Sequence, residues 1–269
     1  SPMGHQPMTS TSGRYAISYN GEVYNFDALR KTLESESPAG NPPIQWRGHS
    51  DTEVILAAVE RWGLEKALGQ FVGMFAIALW DRQERQLHLV RDRLGIKPLY
   101  YGWQGDTFFF GSELKAFHPH PAFKGKIDRT ALQLYTLYNY IPPPHSIYQG
   151  IHKLLPGMRL TLRAPFSERD PEPIPYWSAE AVAHDGLAHP FTGTDEQAID
   201  QLDTLLRDSI RLRMIADVPL GAFLSGGIDS SAVVALMQAQ STAPVKTFSI
   251  GFNEKDYNEA DHAKAVAQH

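Results

Sequence analysis

Apolar positions along the chain follow strand-like spacing first and helix-like spacing later. Gly73-Met74-Phe75-Ala76-Ile77-Ala78-Leu79-Trp80-Asp81 is almost unbroken in apolar residues, as expected of a strand covered on both faces. Arg85 to Arg91 alternates and reads as its hairpin partner. Arg14 to Tyr19 is rich in aromatic and branched residues, a strand, and Asn20-Gly21 after it is a strong short signal for a hairpin turn. Phe26 to Leu33 reads as a short helix with Asp27 near its start, and Ser37 to Pro43 as a polar loop. Ser50 and Glu53 form a capping-box pattern at the head of a helix whose apolar stripe is Val54, Ile55, Ala58, Val59 and Trp62, with Gly63 as its stop. Arg91 to Tyr101 reads as a turn and a strand. Thr107 to Gly111 reads as a further strand, with Phe108, Phe109 and Phe110 assigned to the core. Asp128 caps a helix through Tyr138, which the Tyr140–Pro144 run stops. Ile151 to Leu162, turning at Pro156-Gly157, is expected to close this domain as a hairpin.

From Ala164 to Gly193 the chain is rich in Pro, Glu and His with little periodicity, which reads as a linker between a first domain, 1–163, and a second, 194–269. Thr194 and Gln197 form a second capping box, and the helix behind them directs Leu202, Leu205, Leu206, Ser209 and Ile210 toward a core, ending near Ala216. Asp217 to Leu224 reads as a buried strand, Ala232 to Gln238 as a buried helix, and Lys246 to Phe252 as a strand that closes a βαβ unit. Asn258 to His269 reads as a helix.

Composition narrows the function classes. The 269 residues are ample for a core and suggest about two domains, and 42% apolar content is ordinary for a globular protein. A net charge of −5 points away from nucleic acid and anionic lipid. No apolar run approaches the roughly 20 residues of a membrane span, and no signal peptide is visible. There is no cysteine, so the chain offers no disulfide, Cys-ligated metal or thiol nucleophile. A cytoplasmic enzyme fits. His118-Pro119-His120 is the one close histidine pair and reads as loop decoration. Arg91-Asp92 reads as a structural ion pair.

The chemistry concentrates at Ser225-Gly226-Gly227-Ile228-Asp229-Ser230-Ser231, between the expected strand and helix. Loop N–H groups and a helix N-terminus favour a phosphate, glycines let backbone approach it, and Ser225 and Ser230 add hydroxyl donors. A carboxylate beside phosphates is repulsive unless a cation lies between, so Asp229 implies Mg²⁺. No Gly-Lys-Ser/Thr follows, which excludes the Walker pattern. The alternative is a Ser/Gly turn capped by Asp229 and Ser230. Leu224 to Ser231 resembles the pyrophosphate loop of the N-type ATP pyrophosphatases, in the variant of the glutamine-dependent asparagine synthetases. Tyr19-Asn20-Gly21-Glu22-Val23-Tyr24-Asn25 resembles the glutamine-binding segment of class II amidotransferases, although a plain turn also accounts for Asn20-Gly21. Gly48 to Glu53 is similar to a second glutamine-binding stretch, although Asp51 is equally a first-turn acid favoured by the helix dipole.

The resemblance, strongest at Tyr19–Phe26, Gly48–Leu56, Arg91–Tyr101 and Leu224–Ser231, implies an α-β-β-α amidotransferase sandwich of the N-terminal nucleophile hydrolase type. The start of an α/β parallel-sheet adenine-nucleotide domain follows. It implies that Asn20 and Gly21 form an oxyanion hole and that Asn20, Gly21, Glu22 and Asp51 bind glutamine. It further implies that Leu224, Ser225, Gly226, Gly227, Asp229, Ser230 and Ile250 bind ATP, with Mg²⁺ held at Asp229 through pyrophosphate. The implied reaction is amidation of aspartate to asparagine through β-aspartyl-AMP, with ammonia drawn from glutamine and passed through an internal tunnel. The implied partners are glutamine, aspartate and ATP, not nucleic acid or membrane, with a homodimer left open. The family's nucleophile is an N-terminal cysteine, which is absent here, as are its first strand and substrate arginine. The chain is therefore expected to be an internal piece of a longer protein, inactive as a glutaminase alone. Amidation of another carboxylate, such as a sugar acid or β-lactam precursor, and a non-catalytic nucleotide-binding role remain alternatives.

Overall fold

In the computed structural model, residues 4–36, 44–166, 171–216, 218–254 and 258–269 are described. The expected loop Ser37–Pro43 lies outside these, as does Asp217. The chain divides into two compact units, Ser1–Ala188 and His189–His269.

The first unit is built on a six-stranded antiparallel sheet. Its strands are β1 (Met8–Thr9), β2 (Tyr15–Val23), β3 (Gly73–Asp81), β4 (Gln86–Arg91), β8 (Met158–Arg163) and β9 (Ile174–Pro175), in the order β1-β2-β3-β4-β8-β9. A three-stranded sheet, ordered β6-β5-β7, comprises β5 (Tyr100–Gln104), β6 (Thr107–Gly111) and β7 (Ile151–Lys153). Strand alternation sorts the side chains into two cores. Ile17, Val23, Phe75, Ile77, Leu79 and Val90 face helices α1 (Phe26–Ser35), α2 (Asp51–Trp62) and α3 (Leu64–Gln70), whose buried residues include Leu33, Ile55, Val59 and Leu68. Ala76, Ala78, Leu89, Leu160 and Leu162 face the second sheet with Leu99, Leu154, Tyr101 and Trp103. The apolar run of β3 is thus explained by burial on both faces. Outside the second sheet, Phe109 and Ile151 meet Phe117 of a 3-10 helix over Leu114–Phe117, with Phe123 and Tyr148. The result is an α+β sandwich.

Several local expectations need correction. Asn20-Gly21 is not a turn: β2 runs through it, pairing Asn20 with Ala76 and Gly21 with Phe75. Close approach explains the glycine, since a Cβ there would run into the Met74 carbonyl oxygen. Ser50 caps α2 by accepting from Thr52 N–H at 3.2 Å, but no box forms. The buried Glu53 carboxylate instead accepts from Arg47 N–H (2.7 Å) and Gly48 N–H (3.0 Å). Ile151 to Leu162 is not a hairpin. β7 pairs with β5 and β8 with β4, so the Pro156-Gly157 turn carries the chain from one sheet to the other. Of the three phenylalanines in β6 only Phe109 is buried; Phe108 and Phe110 share the opposite face, toward the first sheet, where Phe110 lines an open cleft beside Asn20. The expected linker stretch contributes β9, paired with β8, and helix α5 (Ala179–Ala188). Asp128 caps helix α4 (Arg129–Tyr138) through Thr130 N–H and Ala131 N–H, as expected.

The second unit contains α6 (Asp195–Arg213), β10 (Gly221–Phe223), α7 (Ile228–Gln238), β11 (Lys246–Phe248) and α8 (Ala260–Gln268). Thr194 and Gln197 form a complete capping box. β10 and β11 pair in parallel, Ala222 opposite Thr247, with α7 as the crossover. Here the expectation of burial fails. Leu202, Leu205 and Leu206 are exposed and only Ile210 of that stripe is buried, α7 buries no residue, and Phe223 is 80% exposed. Two short strands do not cover both faces of α6 and α7.

Candidate functional site

In the first unit the candidate residues collect along β2, which alternates its backbone as well as its side chains. Toward β3, Tyr24 N–H donates to Val72 O at 2.8 Å. On the opposite edge Tyr19 N–H donates to Gln6 Oε1 at 2.5 Å, and Val23 N–H donates to Asp51 Oδ2 at 3.0 Å. Gly21 shares the parity of Tyr19 and Val23. Its N–H therefore points out of that edge, past the end of β1, which pairs only with Ala16 and Ile17.

The side chains alternate too. Asn20 faces the second sheet and lines a cleft of about 150 Å³ with Ala78, Leu99, Phe110 and Ser112. Its Nδ2 donates to Ser112 Oγ at 2.9 Å. Tyr19 faces the helices, where its hydroxyl donates to Asp51 Oδ2 at 2.7 Å. Burial first, then the Asp51 charge, holds the Tyr19 phenol well above its ordinary value. Asp51 is the first residue of α2, so the Ser50 cap fixes where its carboxylate emerges. Glu22 is half-buried beside them. The Asn20 amide and the Asp51 carboxylate thus lie on opposite sides of β2, with the Gly21 N–H at the edge between them.

Across β3 from Gly21, at the end of β4, lies a hub read from sequence only as an ion pair. The buried Asp92 carboxylate accepts from the N–H groups of Phe75 (3.2 Å), Leu94 (3.2 Å), Ile96 (2.9 Å) and Lys97 (2.9 Å). The Arg91 guanidinium donates to the carbonyls of Gly95, Lys97 and Leu154 instead of to Asp92. The two residues pin one loop separately, each satisfying a different set of backbone groups. Burial lowers the Arg91 pKa. The role of Ser112 was not read from the sequence, because only the packing of the two sheets brings it to Asn20. His118 and His120 make local contacts, Nε2 to Tyr148 Oη and Nδ1 from Ala122 N–H.

In the second unit Leu224, Ser225, Ser230 and Ile250 line one cleft of about 420 Å³ at the carboxyl ends of β10 and β11. Ligands of open parallel sheets bind at this end. Leu224 is buried and its N–H donates to Phe248 O at 2.8 Å. Ser225 Oγ and Ser230 Oγ meet at 2.9 Å, closing the loop on itself. Gly226 has φ +84° and lies against α8, where a Cβ would come within 2.7 Å of the His262 Cβ. Gly227 precedes α7 without a side-chain cap, leaving the first-turn N–H groups for a ligand. Asp229 is exposed in that first turn. Among the described residues no group of three His, Asp or Glu side chains is placed to hold a metal. One carboxylate fits a cation carried in by a ligand's phosphates, not one caged by protein.

The first unit is a sandwich with a donor edge, and the second is a parallel βαβ unit with a glycine loop. Residues 1–177 match the glutamine amidotransferase domain family and residues 201–269 match the asparagine synthase family. The chain belongs to the glutamine amidotransferase domain family. It is 36% identical to asparagine synthetase [glutamine-hydrolyzing] 3 of Bacillus subtilis over 94% of its own length, and 34% identical to asparagine synthetase [glutamine-hydrolyzing] 1 of that organism over 98%. It spans 39% of the length of each. A solved structure of glutamine phosphoribosylpyrophosphate amidotransferase from B. subtilis, complexed with ADP and GMP, is similar over 94% of this chain and 50% of its own, at 17% identity and TM-score 0.44. No helix among the described residues is long and apolar enough to cross a membrane.

Proposed function

We propose that this chain is part of an enzyme that draws ammonia from glutamine and uses ATP to amidate aspartate to asparagine. The observation that carries the reading is the Gly21 N–H on the open edge of β2, between the Asn20 amide and the Asp51 carboxylate. Attack on the glutamine amide turns its carbonyl oxygen into an oxyanion, and a preorganised amide donor with a backbone N–H stabilises it. Asp51 and Glu22 supply acidic groups for the substrate's ammonium. The attacking thiol is not among these 269 residues and would come from the rest of the polypeptide.

At the second site the Leu224–Ser231 loop receives the phosphates of ATP on its N–H groups and hydroxyls. The aspartate side-chain carboxylate attacks the α-phosphorus, pyrophosphate leaves, and β-aspartyl-AMP forms. Ammonia then displaces AMP. Mg²⁺ carried on the phosphates neutralises their charge and gives Asp229 a partner. Keeping the ammonia inside matters, because at neutral pH free ammonia is mostly ammonium, which is not a nucleophile.

The test uses the complete polypeptide with ATP, Mg²⁺, aspartate and either glutamine or ammonium. Asparagine, AMP and pyrophosphate should form in equal amounts with either donor, and glutamate only with glutamine. Glutamate release without asparagine would move the acceptor to another carboxylate. The 269 residues alone should release no glutamate. Turnover above the blank that Asn20→Ala abolishes would mean a hydroxyl serves as nucleophile.

A further inference from the structure

Asp51 is held by two donors that both land on the same oxygen. Its Oδ2 accepts from the Tyr19 hydroxyl at 2.7 Å and from Val23 N–H at 3.0 Å. Among the described residues its Oδ1 keeps only a long contact, 3.4 Å, to the hydroxyl of its neighbour Thr52. A carboxylate tied at one oxygen from two directions cannot spin about its Cβ–Cγ bond, so the other oxygen keeps a fixed heading. Val23 N–H alone would restrain that rotation less. The phenol comes from the helix-facing side of β2, four residues before the backbone donor, and the two together form a fork.

We propose that Tyr19 is a positioning residue for substrate recognition: it locks the Asp51 carboxylate so that Oδ1 is presented to the α-ammonium of glutamine. The inference rests on the reading of Asp51 as a glutamine-binding group. It assigns Tyr19 a role in affinity and none in bond cleavage, because the phenol stands on the face of β2 opposite Asn20 and its donated hydrogen bond is spent on Asp51. Specificity follows as well. A ligand with a neutral or absent α-substituent gains nothing from an oriented Oδ1, so the Tyr19 effect is confined to ligands that carry the ammonium.

The experiment compares Tyr19→Phe, which keeps the ring in its packing, with Asp51→Asn in the complete polypeptide. Each is assayed on glutamine and on the analogue in which hydrogen replaces the α-ammonium. Tyr19→Phe should raise the glutamine KM about tenfold, the order of one hydrogen bond to a charged group. It should leave kcat, the analogue's KM and ammonium-dependent synthesis unchanged. A Tyr19→Phe enzyme with an unaltered glutamine KM, or with both ligands weakened equally, overturns the inference while Asp51→Asn still raises the glutamine KM. If Asp51→Asn leaves the glutamine KM unchanged, the underlying glutamine reading fails at Asp51, and the role of Tyr19 falls with it.

Discussion

Asn20 and Ser112 join the two sheets of the sandwich. The Asn20 Nδ2 on β2 donates to the Oγ of the residue that follows β6, at 2.9 Å and across 92 positions of sequence. Because the partner belongs to the other sheet, the Asn20 amide is oriented by the packing of the whole sandwich and not by its own strand.

Asn20→Ala removes one oxyanion donor. Glutaminase turnover of the complete enzyme should fall by about 10²–10³-fold. Synthesis with ammonium should survive, since the two chemistries use different units. Loss of both activities together would make Asn20 a structural residue.

Asp229→Ala should abolish synthesis with ammonium as donor and leave glutamate release from glutamine intact. The readout is asparagine and pyrophosphate formation at saturating ATP. Synthesis at the wild-type rate would remove Asp229 from the nucleotide site.

Asp92→Asn replaces an acceptor of four backbone N–H groups by an amide whose nitrogen accepts none. With the Asp92 side chain itself fully buried, stability should fall by about 2–3 kcal/mol. Urea unfolding of the first unit measures it. A midpoint near wild type would mean that the 92–97 loop holds without the carboxylate.

His88 makes the first unit sensitive to acid. Burial, then the nearby Arg159 charge, lowers its pKa from 6.5 to about 4. The unfolded chain therefore takes up the proton more readily than the folded one. The stabilisation is full above pH 6.5 and declines as pH falls toward 4, by at most about 3 kcal/mol. In His88→Gln, unfolding followed between pH 7 and pH 4 should show a flatter decline. An unchanged slope would assign the acid limb to other groups.

Sequence patterns were legible where a local rule and the tertiary structure agree. The apolar run of β3, the Asp128 cap and the Thr194–Gln197 box all formed as read. Failures came where partner choice is non-local. Glu53 had the spacing of a box residue but accepts instead from the N–H groups of Arg47 and Gly48 in the preceding loop. Adjacency made Arg91 and Asp92 look like a pair, while buried backbone groups claimed both. Nothing local distinguishes a Pro-Gly hairpin from a Pro-Gly crossover, so β7 and β8 were assigned to one another. At the candidate sites, the residue types were readable from motifs. The edge that exposes the Gly21 N–H, the Ser112 contact and the Tyr19–Asp51 fork are readable only from the paired strands.

The crossover at Pro156-Gly157 also sets an order for vectorial synthesis. Until Ile151 to Arg163 has left the ribosome, β4 lacks its outer neighbour and β5 has one edge open. The same thirteen residues supply the missing edge of β5 and the outer neighbour of β4, Leu154 N–H bonding to Leu99 O and Gly157 N–H to Asp92 O on the way. A nascent chain paused before that point presents two unpaired strand edges at once, which makes this the interval in which a holdase chaperone matters most.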